Sequence, residues 1–174
     1  MTFERTASRT AWEGRIAKVR VDSFRYGDGE EAEREIVEHP GSVAIVAHDD
    51  ERVFLVRQPR EAVDEEALLE LPAGKLDEEG ESPLDTAKRE LAEEIGKAAR
   101  DWRHLTSFWL SPGFADEECH LFLATGLYDE AADVDENERI EIVGLPLAEL
   151  DQAIEDCRDA KTLVGLLWLR SRRD

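Results

Sequence analysis

Three glutamates within five positions, Glu90, Glu93 and Glu94 in "KRELAEEIGK", have the clearest capacity for chemistry in this chain. On a helix Glu90 and Glu94 stack on adjacent turns. Like charges so placed repel by about 0.2–0.5 kcal/mol in water, and by more when partly buried. A helix built only for stability would place Glu against Lys there. A divalent cation between the carboxylates turns repulsion into affinity. Mg²⁺ suits the pair, being hard and commonly bound by one or two carboxylates plus substrate phosphates. The alternative is a solvated acidic face in an acidic chain, and the spacing alone leaves both open.

The elements that must hold these residues can be read around them. A helix is predicted from about Ser82 to Ile95, with Ser82 as N-cap, Pro83 at the first helical position, Asp85 in the first turn and Gly96 at the stop. At about 100° per residue Leu84, Ala87, Leu91 and Ile95 form its buried stripe, which Glu90 and Glu94 flank. Glu93 lies further round and Arg89 further still. Upstream, "LELPAGKLDEEGES" delivers the chain into the helix. Gly74 lets the backbone turn where a side chain would obstruct, leaving the Ala73 carbonyl free to face the helix as an oxygen ligand.

Strands dominate the first 80 residues. "GRIAKVRVDSFR" alternates apolar and polar residues and "GDGEE" supplies a turn, so an early hairpin is expected. "SVAIVAH" and "RVFLVRQ" read as core strands, and "ALLELPAG" adds a short one. "WRHLTSFWL", "CHLFLATGL" and "RIEIVGLPL" read as further strands, with "LAELDQAIEDC" and "AKTLVGLLWLRSRR" as closing amphipathic helices. The expected class is α/β, a mixed sheet covered by helices.

Composition narrows the function. The 174 residues suit one domain, and 41% hydrophobic residues with four tryptophans argue for a packed core. The formal net charge of −20, from 42 Asp and Glu against 22 Lys and Arg, disfavours nucleic acid and anionic membranes as partners. An anionic substrate would need local arginines or bound cations. Cys119 and Cys157 show no CxxC spacing, so a reducing cytoplasm is the expected setting. The N-terminus lacks the apolar core of a signal peptide, and no apolar run is long enough to span a bilayer. The four histidines show no paired ligand spacing, and neither GxGxxG nor GxxxxGK[ST] occurs.

Gly74, Glu81 and "Arg89-Glu90-Leu91-Ala92-Glu93-Glu94-Ile95-Gly96" together resemble a Nudix box, G-x5-E-x7-R-E-U-x-E-E-x-G-U with U aliphatic. The chain departs from it twice: six residues separate Gly74 from Glu81, and Lys97 stands at the last aliphatic position. The resemblance implies a Nudix-type α/β/α sandwich and hydrolysis of a nucleoside diphosphate linked to another moiety. It further implies Mg²⁺, or Mn²⁺, held by Glu90 and Glu94, with Glu93 as an additional ligand and the Ala73 carbonyl as a further contact. Arg89 would orient the carboxylates by charge-assisted hydrogen bonds.

Other segments are similar to the ADP-ribose pyrophosphatase branch of that family. Pro112 in "SPGF" stands where the branch carries a proline, though a strand-ending turn would also explain it. Arg60 in "VRQPRE" matches an arginine that meets the substrate's phosphates; alone it could be a solvated strand-end residue. Arg34 and Glu35 match a pair at a substrate site shared by two subunits, which implies a homodimer with exchanged N-terminal strands. Read alone, that segment is a charge-protected edge strand. In "ADVDENERIEIV" Glu136 matches the general base and Glu138 a residue that helps hold metal or substrate, while Glu117 matches a substrate-side carboxylate. The implied reaction is cleavage of ADP-ribose to AMP and ribose 5-phosphate. The alternatives are another substrate of the same kind, such as GDP-mannose, NADH or a diadenosine polyphosphate, or a sensor that binds ADP-ribose without cleaving it. The expected organisation is residues 1–38 as dimer-forming N-terminal strands and 39–174 as the Nudix domain.

Overall fold

A computed structural model describes residues 2–15, 17–130 and 139–172. The chain forms two compact units, one of residues 1–41 with 109–118 and the other of 42–108 with 119–174. The first unit therefore runs past the boundary expected at residue 38 and takes in a segment from the middle of the chain.

In the first unit, β1 (Phe3–Glu13), β2 (Lys18–Tyr26) and β3 (Glu31–Glu38) form an antiparallel sheet in that order. The β2–β3 hairpin closes where "GDGEE" predicts, with Gly29 at φ 90° and the Tyr26 N–H bonded to the Glu30 carbonyl at 2.8 Å. Asp22 on β2 is buried and accepts from Ser8 Oγ at 2.5 Å, Arg20 Nε at 2.9 Å and Arg5 Nη1 at 3.3 Å. Burial opposes its charge, and these donors outweigh that to hold its carboxyl below the usual range. Arg20 also donates to Glu38 and to Asp116, fastening residues 109–118 to the sheet. Every residue of β1 is exposed, Phe3 and Trp12 included.

The second unit is built on β4 (Ser42–His48), β5 (Arg52–Arg60), β6 (Glu65–Glu70), β7 (Ala73–Lys75), β8 (Lys97–Trp109), β9 (Glu118–Asp129) and β10 (Glu141–Pro146). The sheet order is β10-β5-β4-β9-β8, with β6 paired to β5 and β7 to β4. The β4–β9 pairing is parallel and makes the sheet mixed. Val43 to Ala47 in "SVAIVAH" are all apolar, as suits a strand buried on both faces. Val43, Ile45 and Ala47 share a core cluster with Ala87, Leu91 and Ile95 of helix α1 (Pro83–Ile95). Val46, on the other face, meets helix α3 (Ala160–Arg170) at Gly165. Helices thus cover both faces, the expected sandwich.

Three elements differ from expectation in extent. β8 starts at Lys97, immediately after Gly96 ends α1, rather than near residue 102. "LAELDQAIEDC" divides into a 3-10 turn at Leu147–Glu149 and helix α2 (Leu150–Asp156), and the Leu147 N–H is bonded to the Glu51 carbonyl at 2.8 Å. β1 is a full strand of 11 residues, whose exposed faces give it no apolar periodicity to read. No helix among the described residues is long and apolar enough to cross a membrane.

The α3 contact yields a stability prediction. A Cβ on Gly165 would lie 2.5 Å from Leu71 Cδ1 and 2.9 Å from Val46 Cγ2, both fully buried. Overpacking costs about 1–3 kcal/mol, offset by up to about 1 kcal/mol of helix propensity. With contacts this short the overpacking cost falls near its upper end, about 2 kcal/mol net, so Gly165→Ala should lower Tm by roughly 4–8 °C. An unchanged Tm in a thermal melt would show that α3 does not press on β4 here.

Candidate active site

Helix α1 is delimited as its sequence dictates. Ser82 Oγ accepts from the Asp85 N–H at 3.3 Å, Pro83 begins the helix, and Gly96 at φ 65° directs its N–H to the Leu91 and Ala92 carbonyls. With its ends fixed, one flank of the buried stripe faces β7, which pairs Gly74 with Val43 and Ala73 with Ala44 of β4.

Glu94 is 7% exposed, and its Oε2 accepts the Ala73 N–H at 2.9 Å. Glu90 lies against Gly74 so closely that a Cβ there would stand 2.0 Å from its carboxyl carbon. Gly74 is thus required for space, and the Glu90 carboxyl fills the volume its missing side chain leaves. Ala73 enters the site through its N–H.

Arg89 binds three carboxylates at once. Its Nη1 donates to Glu90 Oε1 at 2.9 Å and Glu93 Oε2 at 3.0 Å, and its Nε to Glu81 Oε1 at 3.2 Å. Burial works against its charge, and the carboxylates outweigh burial, so its pKa lies above the ordinary value. Glu81 also accepts from buried Thr86 Oγ1 at 3.0 Å, and Arg89 holds its carboxyl below the usual range. The extra residue before Glu81 is absorbed in a turn closed by the Glu81 N–H and the Glu78 carbonyl, with Gly80 at φ 88°. Gly74 and Glu81 therefore meet Glu90 and Arg89 despite the longer spacer. Lys97 bonds to Asp129 at 2.9 Å and lies over the Phe54 ring, outside this network.

Arg60, at the end of β5, is not a simple solvated residue. Its Nε and Nη2 bind the two oxygens of Glu70 at 2.7 Å each, and Glu70 is 1% exposed. That pairing raises the Arg60 pKa against the effect of burial, and the Glu94 charge adds to it. Glu70 is missing from the residues expected above. Its signal was a lone acid in the apolar strand "ALLEL". Asp159, the N-cap of α3, accepts from the Thr162 N–H and from Lys161 Nζ, both at 2.9 Å. Thr162 Oγ1 in turn accepts the Leu71 N–H at 2.8 Å, which anchors the end of β6.

In the first unit, Arg34, Glu35 and Pro112 line one cavity of about 390 Å³, together with Tyr26, Trp109 and Phe114. Arg34 donates to the Tyr26 hydroxyl at 3.1 Å, so the pair expected from sequence has an aromatic neighbour that was not. Glu117 lies 3.9 Å from His39 Nδ1. Glu136 and Glu138 fall outside the described residues. Among those described, no three His, Cys, Asp or Glu side chains form a ready-made metal cluster; Arg89 supplies the counter-charge to Glu81, Glu90 and Glu93.

The NUDIX domain family model matches residues 38–164. The chain is 41% identical over 175 residues to the methanol dehydrogenase activator of Bacillus methanolicus, covering 97% of this chain and 94% of that one. It is 38% identical to the ADP-ribose pyrophosphatase of Bacillus subtilis (strain 168), covering 94% and 90% respectively. Identity is 46% over 126 residues to the ADP-ribose pyrophosphatase of Mycobacterium tuberculosis, covering 72% and 60%. Among solved structures, the crystal structure of an ADP compounds hydrolase matches with TM-score 0.86 and 25% identity, over 99% of this chain and 94% of that one.

Proposed function

Because the chain belongs to the Nudix hydrolase family, we propose that it cleaves the pyrophosphate of ADP-ribose, giving AMP and ribose 5-phosphate, and that its metal is Mg²⁺ or Mn²⁺. The observation that carries this reading is the Glu90 carboxyl seated in the space of the absent Gly74 side chain, one helical turn from buried Glu94. Two relatives with that activity in their names support the choice of substrate.

The donor set fits a hard divalent ion: Glu90 and Glu94 offer carboxylate oxygens and Ala73 a backbone carbonyl. Glu90 and Glu94 would hold the metal, with Glu93 and the Ala73 carbonyl as further contacts. Bound there, such an ion neutralises pyrophosphate charge and lowers the pKa of coordinated water. The chain's own residues do the rest. Arg89 fixes the rotamers of Glu90 and Glu93 and limits their mutual repulsion. Arg60 presents a guanidinium to the substrate's phosphates, which the net charge of −20 would otherwise repel. We assign Glu136 as the base that takes the proton of the attacking water, Glu138 to holding metal or substrate, and Arg34, Glu35, Pro112 and Glu117 to substrate binding.

The wholly exposed strand β1, with Phe3 and Trp12 uncovered, supports a homodimer with exchanged N-terminal strands. The free cysteines, Cys119 buried and Cys157 half-buried, support a cytoplasmic setting. The match to an ADP compounds hydrolase favours a second reading, in which other ADP derivatives such as NADH or a diadenosine polyphosphate are the better substrates.

Metal removal tests the proposal. Chelator-treated protein should leave ADP-ribose intact and recover AMP formation, followed by chromatography, on addition of Mg²⁺ or Mn²⁺. Intact ADP-ribose with both ions present would refute it.

A further inference from the structure

The Arg60–Glu70 pair is a structure without an evident stability purpose. Glu70 ends β6 and stands opposite Val56 in the β5–β6 ladder, while Arg60 stands opposite Glu65. The Arg60 side chain therefore runs back along the sheet to reach it, past a register shift between Gln58 and Arg60. A carboxylate at 1% exposure is costly unless it is paired and hydrogen-bonded. A hydrophobic pair of similar volume would serve the fold as well or better. What the pair provides is orientation: both Glu70 oxygens grip one edge of the guanidinium, Nε and Nη2, at 2.7 Å. The opposite corner, Nη1, makes no hydrogen bond among the described residues, and the Arg60 side chain is 42% exposed. A long, flexible arm is thereby held in one pose with its outer edge available. The Lys161 charge also interacts with that of Glu70.

We infer that Glu70 is a positioning residue, which fixes Arg60 so that its outer edge meets the substrate's pyrophosphate already oriented. The inference rests on the reading of Arg60 as a phosphate contact. If it holds, losing Glu70 releases Arg60 into many rotamers, and the loss falls on substrate binding. A residue that only supported the sheet would alter Tm or the amount of folded protein and leave KM in place.

A double-mutant cycle on kcat and KM tests this, using the full chain with Mg²⁺ and ADP-ribose. Glu70→Gln and Arg60→Ala should each raise KM about tenfold with smaller changes in kcat, and the double variant should be no worse than Arg60→Ala alone. Should Glu70→Gln fail to fold, Glu70→Asp keeps the charge but shortens the reach, and should raise KM in the same direction. Effects that multiply in the double variant would overturn the inference, as would a wild-type KM in Glu70→Gln beside a raised KM in Arg60→Ala. A wild-type KM in Arg60→Ala would overturn it together with the phosphate contact itself. If the wild type does not cleave ADP-ribose, the substrate reading fails instead. The same cycle on the nucleoside diphosphate derivative it does cleave then decides for or against Glu70.

Discussion

Glu94→Gln is expected to lower kcat for ADP-ribose by about 10³-fold, since a metal site contributes several kcal/mol of transition-state stabilisation and each 1.36 kcal/mol is tenfold in rate. Tm should stay within a few degrees of wild type. The reason lies in what the amide keeps. Glu94 Oε2 accepts the Ala73 N–H at 2.9 Å, and a glutamine oxygen can accept the same bond in the same space. What disappears is a negative charge one helical turn from Glu90, so their repulsion is relieved while the attraction for Arg60 is lost, and the two changes oppose each other in stability. Activity and stability should therefore separate, as measured by steady-state kinetics and thermal melts on one preparation. Unchanged turnover would remove Glu94 from the metal set.

Gly74→Ala should give the second large effect without altering any charged group. Its Cβ would stand 2.0 Å from Glu90 Cδ and Oε1. The clash is with the far end of a flexible side chain, so it is relieved by moving Glu90 rather than β7 or α1. Alanine is also acceptable in a strand whose glycine needs no positive φ, and Gly74 is not among the positive-φ residues. The fold should survive while the carboxyl proposed as a metal ligand is displaced by an ångström or more, a misplacement that can cost about 100-fold in rate. Near-wild-type kcat/KM would show that Glu90 need not occupy the space Gly74 leaves.

Much of this site could be read before any coordinates, and the reason is locality. The cap at Ser82, the stop at Gly96 and the flank carrying Glu90 and Glu94 all follow from residues within one helix. Gly74 and Glu81 also lie close in sequence, and the longer spacer was harmless because Gly80 accommodates the extra residue in a tight turn. Glu70 was not legible in the same way. It is a lone acid in an apolar strand until the β5–β6 ladder brings Arg60 back onto it. Asp116 on Arg20 likewise depends on a pairing between distant segments, whereas Tyr26 meets Arg34 across the local β2–β3 hairpin. The extent of β1 and the inclusion of residues 109–118 in the first unit escape the sequence for another reason, since neither segment carries an apolar periodicity of its own.

The task proposed for the Glu90–Glu94 site is cleavage of ADP-ribose. Its most direct test is kcat/KM with Mg²⁺ across ADP-ribose, NADH, GDP-mannose and a diadenosine polyphosphate, with every product identified. The highest value should belong to ADP-ribose, with AMP and ribose 5-phosphate formed in equal amounts. A higher value for any of the others, or no cleavage of ADP-ribose, would contradict the account.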